Sequence, residues 1–220
     1  MLATAESRRR RLGGVEFNAR NNTSWPAPNI DGITVLGLQE ATQHQVLAPF
    51  ETTLGWVRFS PDGSYLSYAV IRDTGVEQWV LDVASGIPRP LTSASLNATR
   101  GEPCNWLDDS SGMLCKFLRS ARGSPPADSG GPLDDATQKT LFEYYFTSQL
   151  ATVKLATGRR TDIGPPGIVI HASATPSGQY VVVKLKGPFT PTTSSLSAGQ
   201  SIEIWNDEGD VVRELAVPER

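Results

Sequence analysis

Three times along the chain, a short apolar run is followed by a polar turn ending in glycine and then by a second apolar run. The first instance is Phe59-Ser60-Pro61-Asp62-Gly63 followed by residues 64–71. The second is Trp106-Leu107-Asp108-Asp109-Ser110-Ser111-Gly112 followed by 113–118. The third is Ala174-Thr175-Pro176-Ser177-Gly178 followed by 179–185. Each reads as a β-hairpin, with glycine where the turn needs positive φ. The second run is the more apolar of the two, as expected of a strand covered on both faces. A second hairpin-like unit follows each one: residues 79–92, 150–163 and 202–215. These alternate apolar and polar more cleanly, which suits strands nearer the outside.

Two hairpins in sequence make a four-stranded antiparallel meander, which is one propeller blade. The blades span residues 55–92, 103–164 and 169–215. Upstream, residues 32–38 and Gln45-Val46-Leu47 read as the outer strands of another blade. The predicted fold class is therefore all-β, an incomplete β-propeller of about three four-stranded blades plus part of another. A β-sandwich also accommodates short strands with glycine turns, but recurrence of the whole two-hairpin unit favours the propeller. In domain terms, residues 1–31 do not match the repeat and 32–220 form the partial propeller, with an inserted loop at 120–140. Closed propellers have about four to eight blades of roughly 40–45 residues each. The expectation is thus an open arc of a larger ring, prone to self-association through its uncovered ends.

Composition removes several function classes. Hydrophobic residues make up 39% and charged residues 20% of the 220, so the chain can bury a core. No apolar run approaches the 18 or so residues of a membrane span, and no membrane partner is expected. A net charge of −3 disfavours a nucleic-acid partner held on a basic face. The basic run Arg8-Arg9-Arg10-Arg11 is followed by Leu12-Gly13-Gly14 where a signal peptide would turn apolar, and is read as a solvated loop. Asn21, Asn22 and Asn97 each begin an Asn-x-Ser/Thr triplet, read as a chance match in the absence of a secretion signal.

No site for chemistry emerges. Cys104 and Cys115 are eleven residues apart without a CxxC pair; they are read as two thiols, with a single disulfide as the alternative. With His44 and His171 in unrelated contexts, no metal site or cofactor is expected. Asp128-Ser129-Gly130-Gly131-Pro132 looks like a trypsin-type nucleophile motif. It sits in a Ser/Gly/Pro-rich loop, carries Ala127 where a glycine belongs, and has no histidine in the right context. No Gly-x-Ser-x-Gly elbow exists, and Gly199-Gln200-Ser201-Ile202-Glu203 lacks the final glycine. Asp62, Asp82, Asp108, Asp109 and Asp207 fall in turns, where Asp bonds its own backbone. Trp56, Trp79, Trp106 and Trp205 read as core. Residues 134–145 suggest a short helix capped by Asp134 or Asp135, with Leu141, Phe142 and Tyr145 on one side. Residues 187–200 read as a shorter loop.

Several strings together resemble one family. They are Trp56-Val57-Arg58-Phe59-Ser60-Pro61-Asp62-Gly63, Leu96-Asn97-Ala98-Thr99 with Cys104-Asn105-Trp106-Leu107-Asp108-Asp109-Ser110, and Leu141-Phe142-Glu143-Tyr144-Tyr145-Phe146-Thr147-Ser148-Gln149-Leu150. With Arg122-Gly123-Ser124-Pro125-Pro126 and Gly164-Pro165-Pro166-Gly167, they resemble the N-terminal propeller of prolyl-oligopeptidase-type serine peptidases, in the glutamyl endopeptidase branch. The resemblance runs from about Asn18 to the C-terminus. It implies a propeller that gates and positions peptide substrates for an α/β-hydrolase domain of the same parent protein, in the chloroplast stroma or bacterial cytoplasm. The family's Ser, Asp and His belong to that hydrolase domain, expected beyond Arg220, so no catalytic residue carries over. Where the family tends to show His-Arg-Pro-aromatic, this chain has Lys184-Leu185-Lys186-Gly187-Pro188-Phe189. The second function class is a stand-alone propeller-like interaction module without peptidase activity.

Overall fold

The computed structural model describes residues 9–37, 43–120, 122–130, 136–176, 179–185 and 199–215. Its strands are β1 (Arg9–Leu12), β2 (Val15–Asn18), β3 (Thr23–Ser24), β4 (Gly32–Leu36), β5 (Gln43–Leu47), β6 (Thr53–Phe59), β7 (Tyr65–Ile71), β8 (Val76–Asp82) and β9 (Pro88–Pro90). Next come β10 (Cys104–Trp106), β11 (Gly112–Leu118), the helix α1 (Ala136–Phe146), β12 (Ser148–Lys154) and β13 (Arg160–Gly167). The last four are β14 (Val169–Ala174), β15 (Tyr180–Leu185), β16 (Gln200–Trp205) and β17 (Val211–Leu215). They form three four-stranded antiparallel sheets in simple meander order: β6–β9, β10–β13 and β14–β17. A two-stranded sheet, β4–β5, and a three-stranded one, β1–β3, precede them. Among the described residues the fold is all-β apart from α1, and its sheets form an incomplete propeller.

The sheets stack face to face, and strand alternation supplies both interfaces. On β11, Met113, Cys115 and Phe117 face the first blade, joining Ala69, Ile71, Val76 and Val80 in one core cluster. Leu114 faces the other way, meeting Tyr180, Val182 and Trp205 of the third blade. In the first two blades the second strand is accordingly the most buried, with six of seven residues buried in β7 and in β11, whereas in the third blade β16 is more buried than β15. At the other end, Val35 and Val46 of the two-stranded sheet cover Leu54, Leu66, Tyr68, Val70 and Leu81 of the first blade. One device recurs on third strands. The Trp79 indole donates to Glu77 at 2.8 Å, and the Trp205 indole donates to Glu203 at 2.8 Å. Burial pushes the Glu77 carboxyl up, but bonds from Arg72 and Trp79 outweigh it and leave its pKa below the ordinary value.

Four expectations are corrected. Cys104 and Cys115 are directly opposite on β10 and β11 and form a disulfide, not two thiols. Spacing alone hides this, because the hairpin's register is what brings the two residues together. Arg9, Arg10 and Arg11 lie on β1 rather than in a loop, since Leu12 and the buried Phe17 give the hairpin an apolar side to pack; Arg8 lies outside the described residues. In the second hairpin, Ser110 takes the positive φ (60°) expected of Gly112. Gly112 begins β11, where a Cβ would collide with the Val153 carbonyl, so close strand approach is what requires glycine there. In the last blade the turn acceptor is Asn206, which takes the amides of Glu208 and Asp210, where Asp207 was expected to act.

The insertion between β11 and β12 ends in α1; the expected caps Asp134 and Asp135 lie outside the described residues. Leu141, Phe142, Tyr145 and Phe146 form a separate small core with Leu12, Phe17 and Ile168. Phe17 packs against the rings of Tyr145 and Phe146, with centroids 4.8 and 5.0 Å away. The N-terminal sheet and the inserted helix thus bury one another.

Candidate functional site

The inner edge of the middle blade comes in two pieces. Cys104–Trp106 pairs with one half of β11. The other half pairs with residues 95–97: the Asn97 amide donates to the Lys116 carbonyl and the Leu118 amide to the Ser95 carbonyl, both at 2.8 Å. Residues 98–103 are therefore looped out between the two pieces, and several bonds fix the loop. The Asn97 side-chain oxygen accepts from the Thr99 hydroxyl at 2.6 Å, while its amide donates to the carbonyls of Tyr145 at 3.0 Å and Thr147 at 3.2 Å. Ala98 exchanges backbone bonds with Asn22 and Ser24, at 2.9 and 2.8 Å. The Asn21-Asn22-Thr23 triplet repeats the arrangement beside it, with the Thr23 hydroxyl donating to the Asn21 oxygen at 2.8 Å and the Asn21 amide to the Arg72 carbonyl at 2.9 Å. At the far end, the Lys116 amide holds the Pro103 carbonyl at 2.8 Å, and the disulfide follows at Cys104.

This loop carries Arg100 and Glu102. Glu102 receives a two-pronged bond from Arg58 on β6, at 2.6 and 2.8 Å, linking the first two blades. The Arg58 side chain remains 60% exposed, so the pair serves orientation more than stability. Behind the loop, Lys116 is only 4% exposed, and its ammonium donates to the Ile170 carbonyl at 3.4 Å. Burial, and secondarily the Arg100 charge, push its pKa down to about 8, against the pull of Glu102. His171 on β14 is held below its ordinary value by partial burial and then by the Lys116 charge. Asn105 donates to the Ala172 carbonyl at 2.9 Å, tying β10 to the third blade.

Arg58 bonds Glu102 directly, and the charges of Arg100 and Glu102 both act on Lys116, so cationic side chains outnumber the carboxylate around this loop in a chain whose net charge is −3. Such a set can attract and orient an anionic group, but it contains no nucleophile paired with a base. Sequence reasoning passed over it. The available signal was Lys116 itself, a cation inside an otherwise apolar run that both neighbouring blades should cover.

The residues weighed for chemistry lie elsewhere. Ser129 and Asp128 are held by Gln138, whose amide donates at 3.1 and 2.6 Å, and Asp128 also pairs with Arg10 at 3.0 Å. Asp62 takes the Ser60 hydroxyl, Asp82 the Ser85 amide and Asp109 the Ser111 amide, each as a turn acceptor. Trp106 and Trp205 are buried, and Trp56 and Trp79 pack against core clusters. His44 is on β5 and His171 on β14. Among the described residues, no group of three His, Cys, Asp or Glu gathers to hold a metal, and no helix is long and apolar enough to cross a membrane.

No family model matches the chain, and no curated protein matches it. Solved structures do. An acylaminoacyl peptidase from Pyrococcus horikoshii aligns with a TM-score of 0.55 at 14% identity, over 86% of this chain and 28% of that one. Porphyromonas gingivalis dipeptidyl peptidase 4 aligns at 0.55 and 11% identity, over 86% and 30%. The β-propeller domain of the Trilobed protease from Pyrococcus furiosus, described as having an open velcro topology, aligns at 0.52 and 14% identity, over 84% and 48%. This chain thus spans less than half the length of each. At such identities the likeness concerns fold alone: the chain has the architecture of a β-propeller arc, similar to the propeller domains of prolyl oligopeptidase-family peptidases.

Proposed function

We propose that this chain is the non-catalytic propeller portion of a glutamyl-endopeptidase-like serine peptidase. It gates and positions peptide substrates for an α/β-hydrolase domain of the same parent protein. The observation that carries the reading is the fixed 98–103 loop, which carries Arg100, whose charge acts on Lys116, and Glu102, which Arg58 holds. A cation-rich inner edge on an acidic chain favours acidic peptide segments. The string motifs and the peptidase propellers among the structural neighbours support the same reading. The resemblance implies chloroplast stroma or bacterial cytoplasm, and the Cys104–Cys115 disulfide is the feature that weighs against a reducing compartment.

The test is binding of a fluorescent Glu-containing peptide against its Gln counterpart, with wild type and Arg100→Ala. The Glu peptide should bind tighter by roughly tenfold, and added salt and the substitution should erase that margin. The chain alone should hydrolyse no Glu-X bond. Equal affinity for both peptides, or Ser-directed turnover by this chain, would overturn the proposal. A stand-alone interaction module is the second reading, favoured by the exposed Leu36 and Leu47 of β4–β5.

A further inference from the structure

The first strands of all three four-stranded blades break at nearly the same height. β6 skips Trp56 and Val57, between Gly55 opposite Ala69 and Arg58 opposite Ser67. In the middle blade the break is the 98–103 loop, where Lys116 bonds Asn97 on one side and Pro103 on the other. β14 skips Ile170, between Val169 opposite Lys184 and His171 opposite Val183. Measured from the turn bonds at Tyr65, Gly112 and Gln179, the three breaks are nearly in register. A bulge re-aims the side chains beside it. The residues beside these breaks are Arg58, then Arg100 with Glu102, then His171.

The middle blade fixes the backbone on either side of His171. The Lys116 ammonium donates to the Ile170 carbonyl at 3.4 Å, and the Asn105 amide to the Ala172 carbonyl at 2.9 Å. His171 itself is exposed, and its imidazole makes no hydrogen bond or ion pair among the described residues. The charges that act on it are unequal. Those of Lys116 on β11 and Arg58 on β6 disfavour the imidazolium, and that of Glu102 favours it. Glu102, though, is engaged by Arg58 through both of its oxygens, and Arg100 adds a further cation acting on Lys116. On the ring's own sheet, Lys184 of β15 stands opposite Val169 and lies 3.6 Å from Glu203 of β16. The local balance is short of negative charge, and a carboxylate arriving from outside supplies it.

We infer that His171 takes up a proton as the side-chain carboxylate of an acidic peptide binds beside it, so that this inner edge grips its ligand more tightly as the pH falls. The inference rests on the acidic-peptide reading and adds to it a proton-linked residue on the third blade. An anion beside the ring favours the charged form, so binding takes up a proton wherever the free ring is neutral and the liganded ring is charged. Affinity rises as pH falls through that window and is flat on either side of it.

The full chain carries two histidines, so proton NMR of wild type, His44→Gln and His171→Gln protein assigns both imidazole titrations. The probe is a fluorescent peptide carrying cysteate, whose sulfonate stays ionised throughout, with a Gln counterpart as control. From about pH 7 to about pH 5 the cysteate peptide should tighten by roughly tenfold, and the Gln peptide should not. Lys116 is protonated across that range and adds no slope of its own. Saturating cysteate peptide should move the His171 midpoint upwards and leave His44 in place. The gain in affinity should vanish in His171→Gln protein and persist in His44→Gln protein, with far-UV circular dichroism verifying that both are folded. An acidic-peptide margin that is independent of pH, a gain that survives His171→Gln, or an unmoved His171 midpoint would each overturn the inference and leave the acidic-peptide reading standing. No margin over the Gln peptide at any pH would overturn both.

Discussion

Lys116 shows how one side chain can oppose the fold that contains it. Its pKa falls to about 8 from an ordinary 10.5, so the folded state binds fewer protons than the unfolded chain between those values. Stability should therefore rise as pH goes from about 8 towards 10.5, and should be flat just below 8, where Lys116 is protonated in both states. Lys116→Met keeps the length and removes the charge. It should raise stability at pH 7 by roughly 1–3 kcal/mol and abolish that alkaline rise, as read by urea denaturation at several pH values. The disulfide works in the opposite direction. Replacing Cys104 and Cys115 by alanine together should cost roughly 3 kcal/mol, the loop-closure value for a short loop, and urea midpoints at pH 7 measure it. The disulfide was not legible in the string, and the burial of Lys116 showed only as a cation within an apolar run. The sequence places Lys116 and Cys115 side by side without saying that strand alternation sends them to opposite blade interfaces.

At the level of elements, the repeated hairpins were legible because their signal is local. A glycine turn between apolar runs sets strand, turn and strand within about 15 residues. The outer strands were legible for the same reason, by their alternation. The N-terminal sheet was not. Arg9, Arg10 and Arg11 look solvated in isolation, and only α1, more than a hundred residues later, supplies the aromatic partners that make Leu12 and Phe17 worth burying. That mutual dependence is testable. Phe146→Ala removes a ring stacked 4.3 Å from Phe142 and edge-on to Phe17. It should cost about 3–5 kcal/mol. Hydrogen exchange should quicken in both β1–β2 and α1, while β7 stays protected. Quickening confined to the helix would show that the two elements do not share a core.

For the whole molecule, stacking of sheets with one polarity follows from the sequence repeat, whereas the candidate site does not. The loop at 98–103 arises where two segments share one edge of β11, an arrangement set by long-range pairing. Its rigidity depends on Asn97, which bonds both its own turn and the end of α1. Asn97→Ala should loosen the loop without unfolding the blades. A Glu peptide's margin over its Gln counterpart should shrink, with at most about 2 kcal/mol lost from global stability in urea denaturation; an unchanged margin would separate the loop from binding.

The burial of Asn21, Asn22 and Asn97, each at most 5% exposed, has a consequence for where this chain can be made. All three stand in oligosaccharide acceptor triplets, and in the folded protein their amides are out of an enzyme's reach. A host that attaches sugars to nascent chains meets them before folding. A glycan at Asn97 would have to occupy the space where its amide now reaches the carbonyls of Tyr145 and Thr147. Secretion from a glycosylating host should therefore yield correctly folded protein only from the unmodified fraction, and intact-mass analysis of the soluble product should find no sugar on it.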